Sequence, residues 1–166
     1  MSQGSRFPLA IAAAAAIAAA AGTMPIAAQA ADDAAFVNPK SIQWGDAPPV
    51  MPKGAKIAVL SGDPSKPGPT TMRLMVPGNY RIAPHTHSKD ENLTVLSGAL
   101  YLGMGDKVEP AKAHALQAGG FHHLPGNTVH YAFTKGPTVV QINLDGPFDI
   151  VYVNPADDPS KSAPKP

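Results

Sequence analysis

The chain has 166 residues, with 13 basic and 12 acidic side chains, six histidines and no cysteine, which leaves room for one modest core. Lys and Arg are scattered without a run or aromatic interleaving, so nucleic acid is excluded as an expected partner. The absence of thiols rules out disulfides, thiolate metal sites and cysteine nucleophiles together, and any metal must be held by nitrogen and oxygen.

Residues 1–30 carry a single charge, Arg6, followed by an apolar run from Phe7 to Ala21 and the small-x-small triplet Ala28-Gln29-Ala30. This pattern predicts a signal peptide cleaved after Ala30 and a periplasmic or secreted mature protein. Gly22 and Pro25 interrupt the run before it reaches spanning length, so no stable membrane insertion is expected after cleavage. Residues 31–55 read as an N-terminal arm, in which Ile42 and Trp44 alternate as in a short strand. Packing of that arm on the barrel or on a neighbouring copy makes a homodimer an expectation.

From Lys56 the pattern changes to short β-type runs separated by Gly, Pro and Asp. Strands are predicted at 57–61, 70–76, 80–83, 93–96, 99–104, 115–117, 121–124, 130–133, 138–143 and 148–153, with no helical periodicity in the mature chain. Many short strands over about 100 residues predict an all-β, single-domain antiparallel β-barrel over residues 56–153, because closure removes exposed edges. Residues 154–166, NPADDPSKSAPKP, are too polar and Pro-rich to bury much apolar surface and read as a disordered tail.

His85 and His87 stand at i and i+2, and in extended chain both project from one face toward one point. Glu91 follows across the polar Ser88-Lys89-Asp90 connection, which can return a carboxylate to that point. Further on, Gly98 closes a turn, and Gly119, the turn Pro125-Gly126-Asn127 and then His130 come in order.

These segments resemble the two motifs of the cupin superfamily. The first appears as GNYRIAPHTHSKDENLTVLSG, from Gly78 to Gly98, and the second as GGFHHLPGNTVH, from Gly119 to His130. The resemblance covers about residues 56–153 and implies a double-stranded β-helix, jelly-roll-like, with His85, His87, Glu91 and His130 as ligands of one divalent transition metal: manganese, iron, nickel, copper or zinc. Three departures stand out. Gly78 and His85 are separated by six residues where the family has five, which a loop or bulge can absorb. Asn127 replaces a usual Gly, and Asn tolerates the left-handed conformation. Thr134 replaces a frequent Asn.

Strand alternation sends one of His122 and His123 inward, and the sequence does not say which; the inward one is a candidate catalytic group. His114 reads as a solvated turn residue. Four protein ligands leave two adjacent positions of an octahedral ion open, so the expected function is a metal-dependent enzyme, oxygenase-like or lyase/isomerase-like, on a small oxygenated organic molecule. The alternative is a non-catalytic cupin that binds a small molecule or senses or stores metal. A residue able to move protons beside the open positions favours the enzyme; a pocket sealed with aliphatic side chains favours the binder.

Overall fold

The computed structural model describes Met1 and residues 35–161. Apart from Met1, the expected signal peptide and its cleavage site lie outside the described residues. Among the described residues eleven strands form in chain order: β1 (Gly45–Asp46), β2 (Lys56–Ser61), β3 (Gly68–Val76), β4 (Arg81–Thr86), β5 (Glu91–Ser97), β6 (Ala99–Met104), β7 (His114–Gln117), β8 (Phe121–Leu124), β9 (His130–Thr134), β10 (Thr138–Gly146) and β11 (Val151–Tyr152). All pairings are antiparallel. One sheet runs β1-β2-β3-β10-β5-β8 and the other β11-β4-β9-β6-β7. No helix of the described residues is long and apolar enough to cross a membrane.

Period-two patterning builds the core. Thr70, Met72, Leu74 and Val76 of β3 alternate inward, as do Glu91, Leu93 and Val95 of β5. Between them β10 places Val140 opposite both Leu74 and Val95, and Ile142 opposite both Met72 and Leu93. Leu100 and Leu102 of β6 meet this layer from the second sheet, so inward faces of both sheets share one apolar interior.

The arm contributes more than expected. Met51 and Ala55 belong to the buried core, while the backbone carbonyls of Pro52 and Val50 accept hydrogen bonds from the Tyr80 and Tyr152 hydroxyls, at 2.7 and 2.9 Å. An unbranched thioether fills an irregular space at a barrel end, and two buried phenols need acceptors there. Sequence periodicity registers neither. Within the tail, Pro155–Asp157 and Pro159–Lys161 form single 3-10 turns; residues 162–166 lie outside the described set. His114 opens β7 opposite Leu102 and remains exposed.

Two glycines are dictated by space. Gly98, between β5 and β6, has φ +76°, and a Cβ there would lie 2.3 Å from the Pro137 carbonyl oxygen. Gly103 pairs with Tyr131, whose ring is 1% exposed and whose hydroxyl donates to the Glu109 carbonyl and accepts from the Glu109 N–H, both at 2.9 Å. A Cβ on Gly103 would fall 1.9 Å from Tyr131 Cζ. Gly103→Ala is expected to destabilise by about 3 kcal/mol or to prevent folding. A urea midpoint within error of wild type would refute this.

Candidate metal centre

The first histidine pair depends on an irregularity in β4. Ile82 pairs with Ala132 and His85 with His130, so three steps along β4 match two along β9. That one-residue bulge lets Ile82 and His85 both line the interior, although regular alternation would place residues three apart on opposite faces. The extra residue between Gly78 and His85 is absorbed here. His87 follows just beyond the strand. Around it, Asn127 N–H donates to the His87 carbonyl at 2.7 Å and Gly126 N–H to Asp90 Oδ1 at 2.8 Å, which ties the two motif loops together. Asn127 has φ +63°, as its place in the turn requires. Thr134 Oγ1 donates to the Pro77 carbonyl at 2.8 Å and accepts from Tyr80 N–H at 3.2 Å; the substituted position closes the loop before β4.

His85, His87 and His130 are all buried, and each offers a donor atom within 4.8 Å of the other two. Their orientation has a common cause. The Nδ1 atoms contact the backbone carbonyls of Ala83 at 2.7 Å, Asp149 at 2.5 Å and Thr128 at 2.9 Å. A carbonyl only accepts, so each Nδ1 carries the proton and each Nε2 keeps its lone pair for the interior. Three converging lone pairs buried without a partner would be unfavourable, and a cation is the partner that suits all three. The cluster could hold a metal ion.

Glu91 extends this set without being part of the close triad. Its Oε1 lies 3.8 Å from His87 Nε2, and its Oε2 lies 3.9 Å from His130 Nε2. These separations exceed a hydrogen bond and run from two different oxygens, so Glu91 stands beside the triad, while the mutual spacing within 4.8 Å is that of the three imidazoles. The donor set of nitrogen and oxygen fits a first-row divalent ion.

Burial dominates the electrostatics. It lowers the pKa of His85 to about 3, helped by the neighbouring His130 and His87, and lowers those of His87 and His130 despite their carbonyl partners. It raises that of Glu91, opposed by His130. At neutral pH the triad is therefore uncharged, the form that binds metal.

The ambiguous pair in β8 is resolved by its register with β5. Leu93 pairs with His122 and Asn92 with His123, and paired residues share a face. Leu93 is in the core, so His122 turns inward. Its side chain is 9% exposed, with Nε2 3.7 Å from Glu91 Oε2, and neither ring nitrogen has a hydrogen-bond partner. Burial, then the neighbouring imidazoles, lowers its pKa to about 4. His123 is exposed and its Nδ1 meets Asn92 Oδ1 at 3.0 Å.

The segment before β11 supplies contacts that sequence reasoning missed. Phe148 lies beside the His87 ring, with centroids 5.5 Å apart. Asp149 gives its carbonyl to His87 and its carboxylate to the Ser88 N–H and hydroxyl. A backbone carbonyl leaves no residue-type signal, so only the fold reveals the first of these roles.

A family model described as "Domain of unknown function (DUF4437)" matches residues 10–151. No curated protein matches the chain. Among solved structures, the polyketide cyclase RemF from Streptomyces resistomycificus is similar with a TM-score of 0.63 and 16% identity, covering 76% of this chain and 89% of its own. An RmlC-like cupin from Shewanella frigidimarina gives 0.52 and 14%, covering 66% and 88%. KdgF from Halomonas sp. gives 0.51 and 16%, covering 68% and 94%. At these identities the likeness is one of fold, the jelly-roll barrel of the cupins.

Proposed function

Given that this chain belongs to the DUF4437 family and has the cupin fold, we propose that it is a divalent-metal enzyme acting on a small oxygenated organic molecule bound at the ion. The observation that carries this reading is the triad itself: three buried imidazoles, each held by a backbone carbonyl with its Nε2 free toward one point. His85, His87 and His130 would hold the metal, with Glu91 completing the set and supplying negative charge. The ion would contribute Lewis acidity or a place for dioxygen to bind. The carbonyl contacts orient the rings, and the apolar walls keep bulk water away.

The enzymatic reading is favoured over passive binding by His122, an inward imidazole beside Glu91 with both nitrogens uncommitted. The non-catalytic alternative draws on the aliphatic lining of the same cavity. One experiment separates them. Metal-free protein titrated with divalent ions is expected to bind one equivalent and melt at a higher temperature. The loaded protein, incubated with an extract of small metabolites, is expected to deplete at least one oxygenated compound in a chelator-sensitive manner. Binding without depletion selects the non-catalytic reading, and no metal binding refutes the metal-dependent enzyme.

A further inference from the structure

The cavity next to the triad is chemically one-sided. Its walls are side chains such as Met72, Leu74, Leu93, Leu102, Val140 and Ile142, and among the described residues no Lys, Arg or Asp lines it. Of the polar side chains away from the triad, Tyr80 donates its hydroxyl to Pro52 and Thr134 is engaged with Pro77 and Tyr80. Among the described side chains that line the cavity outside the triad, His122 has both ring nitrogens uncommitted, and both are buried. An imidazole offers one N–H and one lone pair, and leaving both without partners is unfavourable unless something else fills the role. The cavity offers about 50 Å³ to the centres of water molecules, room for roughly four of them.

A ligand in this space can place hydrogen-bonding atoms only at the end where the triad, Glu91 and His122 meet; every other polar atom would be buried against hydrocarbon. A sugar or a phosphorylated compound would strand several such atoms. We propose that the site takes a compact molecule with one metal-binding oxygen head and a hydrocarbon body, and that His122 is the hydrogen-bond partner of that head. The inference rests on the metal-site reading of the previous subsection and adds the ligand class and the role of His122.

Hydroxamates of fixed head and varied tail test it, by calorimetry on zinc-loaded full-length protein. Butanohydroxamate is expected to bind on the order of tenfold tighter than acetohydroxamate, from the burial of two added methylenes. Propanohydroxamate should exceed glycolohydroxamate, which differs by a hydroxyl in place of the terminal methyl, by a similar factor. His122→Leu should weaken every hydroxamate about tenfold while leaving zinc affinity and the order of tails unchanged. His122→Gln, which keeps a donor and an acceptor, should recover most of the loss and covers the case in which the Leu variant does not fold. Equal affinity for the propano and glycolo compounds overturns the ligand class; unchanged hydroxamate binding in both His122 variants overturns the role of His122. Failure of the wild type to bind zinc or any other first-row divalent ion overturns the metal-site reading and this inference with it, whereas zinc binding without tail preference overturns this inference alone.

Discussion

His85→Ala is expected to abolish stoichiometric metal binding, with apparent affinity falling by at least a hundredfold, while His114→Ala and His123→Ala leave it unchanged. Removal of an outer hydrogen-bond partner alone costs about 10- to 100-fold in affinity at known sites, and His85 is a proposed direct ligand. It is 1% exposed, so its truncation also opens a cavity. Melting with and without chelator separates these effects: the cavity lowers both curves, and loss of metal removes the gap between them. At free metal 1,000-fold above the dissociation constant that gap corresponds to about 4 kcal/mol. Glu91→Gln keeps the volume and removes the charge, so the two curves should move in opposite directions. The metal-free protein should gain stability at neutral pH, because burial opposes ionisation of this carboxyl, and the metal-loaded protein should lose affinity. Undiminished metal content in His85→Ala, or equal losses in His85→Ala and His114→Ala, would refute the assignment.

The second large effect is on pH. Chelator-treated protein should lose stability steeply as pH falls from 7 to 5. His85 and His122 titrate near pH 3 and 4 when folded, against an ordinary value of 6.5, so below pH 6.5 the unfolded chain takes up protons that the folded chain refuses. The stability present above 6.5 is therefore lost as pH falls, by about 1.4 kcal/mol per pH unit for each such ring, or about 4 kcal/mol at pH 5 for these two. His87 and His130 shift in the same direction. Glu91 acts oppositely: its folded pKa is raised above 4.5, so it contributes stability below 4.5 that is lost as pH rises through its folded value. One carboxyl does not offset four imidazoles. Metal should hold the rings unprotonated and delay the loss to lower pH, until protons displace the ion. Melting curves at half-unit intervals, with chelator and with metal, check both statements; a pH-independent midpoint between 7 and 5 in the metal-free protein would refute the first.

Residue order determined the strand pattern, and the resemblance of two segments to the cupin motifs pointed to His85, His87, Glu91 and His130, of which the fold gathers the three imidazoles. Side chains alternate in extended chain whatever the surroundings, so runs such as Ala99–Met104 and Phe121–Leu124 were legible with the bounds observed, and His85 with His87 had to share a face. The left-handed turn at Asn127 was legible for an equally local reason, since few side chains tolerate positive φ. What required the tertiary structure depends on register and on backbone atoms. The bulge between Ile82 and His85 exists only in relation to β9. His122 turned inward because β8 pairs with β5 at Leu93, and a shift of one residue would have exposed it and buried His123. The tautomers of the triad were set by the carbonyls of Ala83, Thr128 and Asp149; every residue carries such a carbonyl, so its position, rather than its type, decides what it does. Met51 joined the core for the same kind of reason: an isolated apolar residue in an irregular segment has no period to reveal it, and only the closing of the barrel gives it a space to fill.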